Sequence, residues 1–407
     1  MADSAARRPL RVVMLINLFM PEVFAGGEQQ CLRLSRALLA RGLEPVILTS
    51  RSRRDTAAVE VMQGVEVHRL WCPVEPQKGG RHLGASLSWM RKVGRWIDAR
   101  RDRIDLIHCH HAKLNAWIGV RAARRIGVPC VVKLGSAGPN FDFRSLEKKR
   151  FVYGRLAARE IRDGASAFVG TSAEMMDDLR GYGIGPDRLV HIPNGVEPPD
   201  TGREEGRSLG SMMRLGNGER LVLFAGRMER QKNVETLLKA FATVAAQQIP
   251  ARLVLLGDGA CLDAHRRLAD RLGLAGSIRF AGRVDTVGDW LEAADLFVLP
   301  ARAEGMSNAL LEAMAHGVPQ VVSAVSGNTD LVAGGRTGWL YAPPEDAGAL
   351  AGVLAEALTC PPERLAAMAR ASRERVRAGF SMDAVADRHA ALYRSLISGG
   401  EAYANVA

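Results

Sequence analysis

Apolar positions along the chain form short unbroken runs, and between those runs they recur at intervals of three and four. Residues 12–18, 45–49, 65–70, 105–108, 129–134, 165–169 and 189–192 are short, largely apolar stretches of this kind and predict strands. The more continuous runs among them, such as 12–16 and 45–48, suit parallel strands covered on both faces. Residues 28–41 carry Cys31, Leu34, Leu38 and Leu39 at helical spacing, and Gly42 stops that helix. Residues 87–101 place Leu87, Met90, Val93, Trp96 and Ile97 on one side, a stripe that is more often core than membrane contact. Residues 112–126, 144–162 and 172–180 predict further helices, the second strongly basic, and 71–84 predicts a loop.

The turn signals of Pro193-Asn194-Gly195-Val196-Glu197-Pro198-Pro199 and the polar segment 200–218 then interrupt the pattern, which places a domain boundary there. The alternation restarts with strands at 221–225, 253–257, 278–282, 296–300, 318–324 and 338–341. Asn233 caps a helix with Val234, Leu237, Leu238, Phe241 and Val244 at helical spacing. Ser307 or Asn308 caps another, which Gly317 and Pro319 stop. Further helices fall at 289–294, 347–358, 362–378 and from 380 to 396. Two rounds of strand–helix alternation in 407 residues predict an α/β protein of two doubly wound domains.

Composition narrows the class. The chain is 47% hydrophobic and 24% charged, as in a globular protein. Its six cysteines (31, 72, 109, 130, 261, 360) include no C-x-x-C pair, which speaks against a zinc site or disulfide framework. Arg7-Arg8 before the apolar run to Met20 resembles a short signal peptide, but Asn17 interrupts the run, Pro21-Glu22 ends it, and no cleavage site follows. With no stretch long enough to cross a bilayer, a cytoplasmic protein is expected. The net charge of +11 is lopsided: residues 1–197 hold 32 Lys and Arg against 20 Asp and Glu, and residues 198–407 hold 23 against 24. Such a basic half either meets an anionic partner, such as the inner face of a membrane or an acidic acceptor, or is a solvated Arg-rich surface. Nucleic acid is disfavoured, because aromatic residues are 5% of the chain and no binding motif is present.

Four stretches carry candidate chemistry. Glu304 and Glu312 flank Gly305-Met306-Ser307-Asn308, between a strand and a helix start. That places a carboxylate at the carboxyl edge of a sheet, with backbone N–H groups of residues 306–308 available to an anion. Arg227, Arg230 and Lys232 fill a strand-to-helix turn and suit a diphosphate; incidental surface charge is the alternative. Ala25-Gly26-Gly27-Glu28 is either a tight turn or a backbone that a bulky ligand can approach. His108, His110 and His111 end a strand, and spacing alone does not decide between a substrate-facing histidine and structural ones. No carboxylate pair or H-E-x-x-H accompanies them to make a metal site.

Taken in order, Ala25-Gly26-Gly27-Glu28, Asp105-Leu106-Ile107-His108-Cys109-His110, Ile192-Pro193-Asn194-Gly195-Val196, Phe224-Ala225-Gly226-Arg227 with Lys232, and the Glu304/Glu312 pair resemble the retaining glycosyltransferases of family 4. The resemblance spans nearly the whole chain. It implies the GT-B fold, two Rossmann-like domains facing across a cleft: residues 1–197 on the acceptor side, 198–380 binding the nucleotide-sugar, and a helix in 381–407 crossing back. It implies that Arg227 and Lys232 neutralise the donor diphosphate without a metal, that Glu312 meets the ribose, and that Glu304 meets the donor sugar. It further implies that residues Gly305, Met306, Ser307 and Asn308 hold phosphate and sugar oxygens. His110 matches the active-site histidine, Gly26 and Gly27 the loop over diphosphate and acceptor, and Arg283 and Val284 the flanks of the base. The implied reaction moves a hexosyl group from a UDP- or GDP-linked sugar to a hydroxyl of a sugar, lipid-linked or other acceptor, with no further cofactor, in cell-surface polysaccharide or glycoconjugate synthesis. Met306-Ser307 and Trp290-Leu291 depart from the family's usual residues, which leaves donor identity open. An epimerase of the same fold and a catalytically silent nucleotide-sugar-binding protein are the rival readings.

Overall fold

A computed structural model describes residues 8–76, 82–148, 153–199, 218–284 and 286–399. The chain divides into two compact units, Met1–Gly195 with Met382–Ala407, and Val196–Ser381. Residues 200–217 of the polar segment taken above as a boundary lie outside the described residues.

The first unit holds an eight-stranded sheet of β1 (Leu10–Leu15), β2 (Leu43–Arg51), β3 (Val59–Met62), β4 (Val65–Trp71), β5 (Leu106–His110), β6 (Cys130–Lys133), β7 (Ala167–Gly170) and β8 (Leu189–His191). The order is β3-β4-β2-β1-β5-β6-β7-β8, parallel except for the β3–β4 pair. Val13, Leu15, Ile107 and Val132 point to one face, and Val12, Met14, Leu106 and Val131 to the other; all are buried, as parallel strands between two helical layers require. The covering helices are α1 (Gly26–Leu39), α2 (Leu83–Asp98), α3 (Leu114–Ile126), α4 (Asp142–Glu147), α5 (Tyr153–Gly164) and α6 (Ala173–Gly181).

Three expectations change here. Strand β3 was not expected; it forms a hairpin with β4 through Gln63 and Gly64, both at positive φ (51° and 83°), the geometry of a two-residue turn. The single basic helix over 144–162 is two helices, α4 and α5, and residues 149–152 between them lie outside the described residues. In the α2 stripe Met90, Val93, Trp96 and Ile97 are buried core, whereas Leu87 is exposed.

The second unit has six parallel strands, β9 (Arg220–Ala225), β10 (Ala251–Leu256), β11 (Ile278–Gly282), β12 (Leu296–Leu299), β13 (Gln320–Ser323) and β14 (Gly338–Tyr341), ordered β11-β10-β9-β12-β13-β14. This is the 3-2-1-4-5-6 order of a doubly wound nucleotide-binding sheet, with its topological switch between β9 and β12. Helices α7 (Val234–Ala246), α8 (Leu262–Arg271), α9 (Gly288–Ala293), α10 (Asn308–His316), α11 (Ser326–Thr329), α12 (Ala347–Thr359) and α13 (Pro362–Gly379) complete it. The short α11 was not expected. Ser307, not Asn308, is the cap of α10: its Oγ accepts from the Leu310 amide at 3.3 Å, and Gly317 closes the helix at φ 75°.

The chain then returns to the first unit as α14 (Met382–Ile397), packed along α1. Val385, Ala386, Ala390, Leu392 and Tyr393 enter the same core as Val12, Met14 and Ile16. Arg41 fixes the helix from α1's end, donating to Asp387 at 2.7 Å and to Asp383 at 3.2 Å.

Candidate functional site

In the second unit the switch point brings the ends of β9 and β12 together. The turn after β9 is held against β10 by Gly226 N donating to Leu256 O (3.0 Å) and Met228 N to Asp258 O (2.8 Å). Gly257 sits at φ 122°, and a Cβ there would lie 2.0 Å from the Gly226 carbonyl oxygen, so this crossing admits only glycine. A 3-10 turn, Arg230–Lys232, follows. Gln231 locks it to the loop after β12 in both directions: its Nε2 donates to Ala303 O (2.8 Å), and Arg302 N donates to its carbonyl (2.9 Å).

Asn233 stands at the N-cap position of α7, as expected, but its side chain makes no capping bond to the helix backbone. It stands at φ 56°, and its Nδ2 donates to the carbonyls of Pro300 (3.1 Å) and Pro344 (2.8 Å). The result is that Lys232 meets Glu304 in a direct ion pair, with side-chain exposures of 16% and 8%. Behind Glu304 the backbone is equally tight, because a Cβ on Gly327 of α11 would lie 2.6 Å from Glu304 O and 2.5 Å from Gly305 O.

The sequence-predicted residues of this unit therefore separate into groups. Lys232, Glu304, Gly305, Met306 and Ser307 converge at the switch point, ahead of the α10 N-terminus, with Asn308 half-buried as the helix's first residue. Arg227 stands at the rim, 64% exposed and paired with Glu229 at 2.9 Å. Glu312 lies half-buried on α10, its carbonyl accepting from His316 Nδ1 at 2.9 Å. Arg283, exposed, and Val284, half-buried against the core, follow the edge strand β11, two strands away from β9.

The first unit has its own switch point, between β1 and β5. Asn115 at the start of α3 ties the two strand ends, donating to Leu15 O (3.1 Å) and His110 O (2.6 Å). Gly26 and Gly27 open α1. The space beside Gly27 is occupied by a side chain: a Cβ there would lie 2.8 Å from His111 Nε2, and one on Gly135 would lie 1.7 Å from His111 Nδ1. His111, at φ 71°, is thus wedged between two glycines. Asp142 holds its loop by accepting from Ala112 N (2.9 Å) and Gly135 N (3.0 Å). Burial, with Lys113 second, holds the His111 imidazole at about 4 despite the opposing pull of Asp142.

The other histidines form a buried stack. His110 lies on His108 with ring centroids 4.5 Å apart, and His389 of α14 lies 5.6 Å beyond on the same ring. His108 Nδ1 is 2.5 Å from the Tyr393 hydroxyl, and His389 Nδ1 donates to Val385 O at 2.9 Å. Among the described residues the Nε2 atoms of His108, His110 and His389 have no hydrogen-bond partner. Burial holds all three imidazoles below the usual histidine range, with neighbouring positive charge adding to it. His108 is thereby the structural histidine and His111 a wedge; His110, the last residue of β5, keeps an unengaged nitrogen.

Sequence reasoning missed Lys133, His389, Tyr393 and Gly135. Lys133 pairs with His110 in the β5–β6 register, a neighbourhood that strand order alone could have exposed. Among the described residues no three His, Cys, Asp or Glu side chains are grouped to hold a metal, and no helix is long and apolar enough to cross a membrane. Several cations of the basic half have partners, among them Arg53 with Asp55, Arg125 with Asp98 and Arg162 with Asp163.

Two doubly wound units, each with polar residues gathered at its switch point, are the architecture of the GT-B fold. Comparison with known proteins gives the family. Residues 25–195 match the glycosyl transferase 4-like domain, and residues 219–360 match glycosyl transferases group 1. The chain is 32% identical over 427 aligned positions to D-inositol 3-phosphate glycosyltransferase 1 of Catenulispora acidiphila, covering 96% of this chain and 97% of that one. Sucrose-phosphate synthase of Thermosynechococcus elongatus superposes with a TM-score of 0.78 at 24% identity, over 96% of this chain and 100% of its own. HepE of Anabaena, solved with UDP-glucose, superposes with a TM-score of 0.75 at 18% identity, over 95% and 100%. The protein belongs to the group 1 glycosyl transferase family.

Proposed function

We propose that the enzyme transfers a hexosyl group from a UDP- or GDP-linked sugar to an acceptor hydroxyl, with retention and without a metal ion, in the synthesis of a cell-surface glycan or glycolipid. The observation that carries this reading is the Lys232–Glu304 pair at the switch point, in front of the α10 N-terminus. A cation, a helix N-terminus and a carboxylate at one crevice suit a phosphate attached to a hydroxylated group. The donor's phosphate competes for Lys232, and the released Glu304 accepts hydrogen bonds from the sugar hydroxyls. Arg227 on its exposed turn supplies the second cation, so that charge developing on the departing diphosphate meets two positive groups. The complex of the Anabaena protein with UDP-glucose supports this class of donor. The basic Met1–Gly195 region supports an acceptor that is anionic or held at an anionic membrane surface.

The test has two stages. Thermal shift against a panel of nucleotide-sugars identifies the donor, since bound ligand raises apparent stability. NMR of the product with that donor then gives the anomeric configuration, which is expected to be retained. An inverted anomer, or an epimerised sugar formed without acceptor, refutes the reading. Undiminished turnover in excess EDTA is expected, and liposome sedimentation with and without anionic lipid tests the membrane term.

A further inference from the structure

The second unit carries a cavity at the sheet edge opposite the Lys232–Glu304 pair. Helix α13 turns Ala371, Glu374, Arg375 and Ala378 to one side, since positions three, four and seven apart share a helix face. Facing them is the loop 333–337, which leads into the first residue of β14 and so lies at the amino edge of a parallel sheet. Lys232 and Glu304 follow strand ends, at the carboxyl edge. The loop is held in place: Thr337 N donates to Ala333 O (2.9 Å), Ala333 N donates to Thr337 Oγ1 (2.9 Å), and Gly335 turns at φ 75°. Ser372 joins helix to loop, its buried Oγ donating to Thr337 O at 3.3 Å. Between helix and loop, with Phe380 on the wall, is a cavity of about 390 Å³.

Its lining joins an apolar floor to an under-used cation. Ala333, Ala371, Ala378 and Gly379 offer small apolar surface, and Phe380 adds a ring. The charged lining groups are Arg336, Arg375 and Glu374, a net of one positive charge, and among the described residues none of the three forms an ion pair. Arg375 donates from Nη2 to Asp330 O at 2.8 Å, and its guanidinium carbon lies 5.9 Å from the centre of the Phe380 ring. Its Nε is buried and has no hydrogen-bond partner among the described residues. A buried donor on a cation is costly to leave unbonded, and the Nε edge of a guanidinium is one that grips a carboxylate with two hydrogen bonds. We propose that this cavity is a binding site for a small monocarboxylate with an apolar body. The carboxylate takes the Arg375 edge, its single negative charge balances the lining, and the apolar body covers the alanines and Phe380. Glu374 opposes a dianion such as a phosphate ester, and a neutral ligand leaves the cation unanswered. The volume lies in the range of small-molecule sites, about 300–1,000 Å³. No residue of the donor site takes part, so the inference goes beyond the transferase reading and does not rest on it.

The experiment uses the full chain and 4-fluorobenzoate as the probe, followed by broadening of its fluorine NMR line. Saturable binding is expected, with the uncharged 4-fluorobenzamide at least about tenfold weaker, because the charge-assisted hydrogen bonds are lost. Hydrogen exchange should slow in residues 333–338 and 371–380 when the probe is bound, and not in 302–310 beside the donor site. Two variants leave the donor site untouched. Ala371→Leu fills the floor of the cavity and should weaken binding about tenfold or more. Arg336→Gln removes an exposed charge and should weaken it about threefold at an unchanged melting temperature; it decides the matter if Ala371→Leu folds poorly. Four results would each overturn the proposal: no saturation by the probe, equal binding of the benzamide, wild-type affinity in every folded variant, or protection confined to another part of the chain. Turnover is not read out, so the result stands apart from any failure of the transferase reading.

Discussion

The Lys232–Glu304 pair makes a quantitative prediction. Removing one member of a fully buried ion pair costs about 3–5 kcal/mol, because the other charge is stranded; a fully exposed pair is worth only about 0.2–1 kcal/mol. The two members are not equally enclosed, at 16% exposure for Lys232 and 8% for Glu304. When Glu304 is removed, the flexible lysine stem lets the ammonium turn to solvent. When Lys232 is removed, the carboxylate stays under a loop that Gly327 and Gln231 hold fixed. Glu304→Ala is therefore expected to cost about 2 kcal/mol and Lys232→Ala about 3 kcal/mol, with the double variant at least ~1 kcal/mol less destabilised than the sum. Urea unfolding of the intact enzyme, resolved to the second unit by hydrogen exchange of β9 and β12 amides, measures all three. Glu304→Ala also frees Lys232, so the affinity for nucleoside diphosphate alone should be kept or rise while that for the nucleotide-sugar falls. Additive costs within about 0.5 kcal/mol, or a larger loss for Glu304→Ala than for Lys232→Ala, would refute the reasoning.

Three further outcomes are expected. Gly257→Ala should cost about 3 kcal/mol or more, because its Cβ would lie 2.0 Å from a backbone oxygen at φ 122°; a melting temperature within 2 °C of wild type, on the order of a neutral substitution, would contradict the crossing. Gly135→Ala should displace the His111 ring, whose Nδ1 would lie 1.7 Å from the new Cβ, and His111→Ala in the same chain should restore most of the lost stability in thermal unfolding. His389 is uncharged in the fold, its pKa lowered to about 3 by burial first and Lys133 next, well below the ordinary histidine range. A lowered base stabilises the fold above the unfolded value and loses that contribution as pH falls toward the folded one, about 1.4 kcal/mol per pH unit. Melting temperatures should therefore decline from pH 7 to pH 4, more shallowly in His389→Gln; a flat profile in the wild type would be incompatible with a buried uncharged imidazole.

The two sheets were legible because parallel strands announce themselves as unbroken apolar runs. Strand β3 was not, since Val59-Glu60-Val61-Met62 is four residues long, half-exposed, and turned by Gln63-Gly64 in place of the usual Asn-Gly. The basic segment after Arg144 reads as one helix by its charge and spacing, and nothing in that pattern marks a break. At the sites the residue types were legible and their pairings were not. Lys232 and Glu304 are 72 positions apart, and only the adjacency of β9 and β12 brings them together. The three histidines differ in role because of partners far along the chain, Tyr393 for His108 and Gly135 for His111, which no local spacing records.

The return of α14 to the first unit bears on how the protein is made. Synthesis runs from the N-terminal side, and the second unit's whole sequence leaves the ribosome before Met382 does. Until then Met14, Ile16, Cys31 and Leu34 lack the helix that covers their face, and His108 lacks the hydroxyl of Tyr393. The unit that begins first is thus the one that finishes last. A released chain ending at Ser381 would hold the whole second unit and an open apolar face on the first, the kind of surface that chaperones bind.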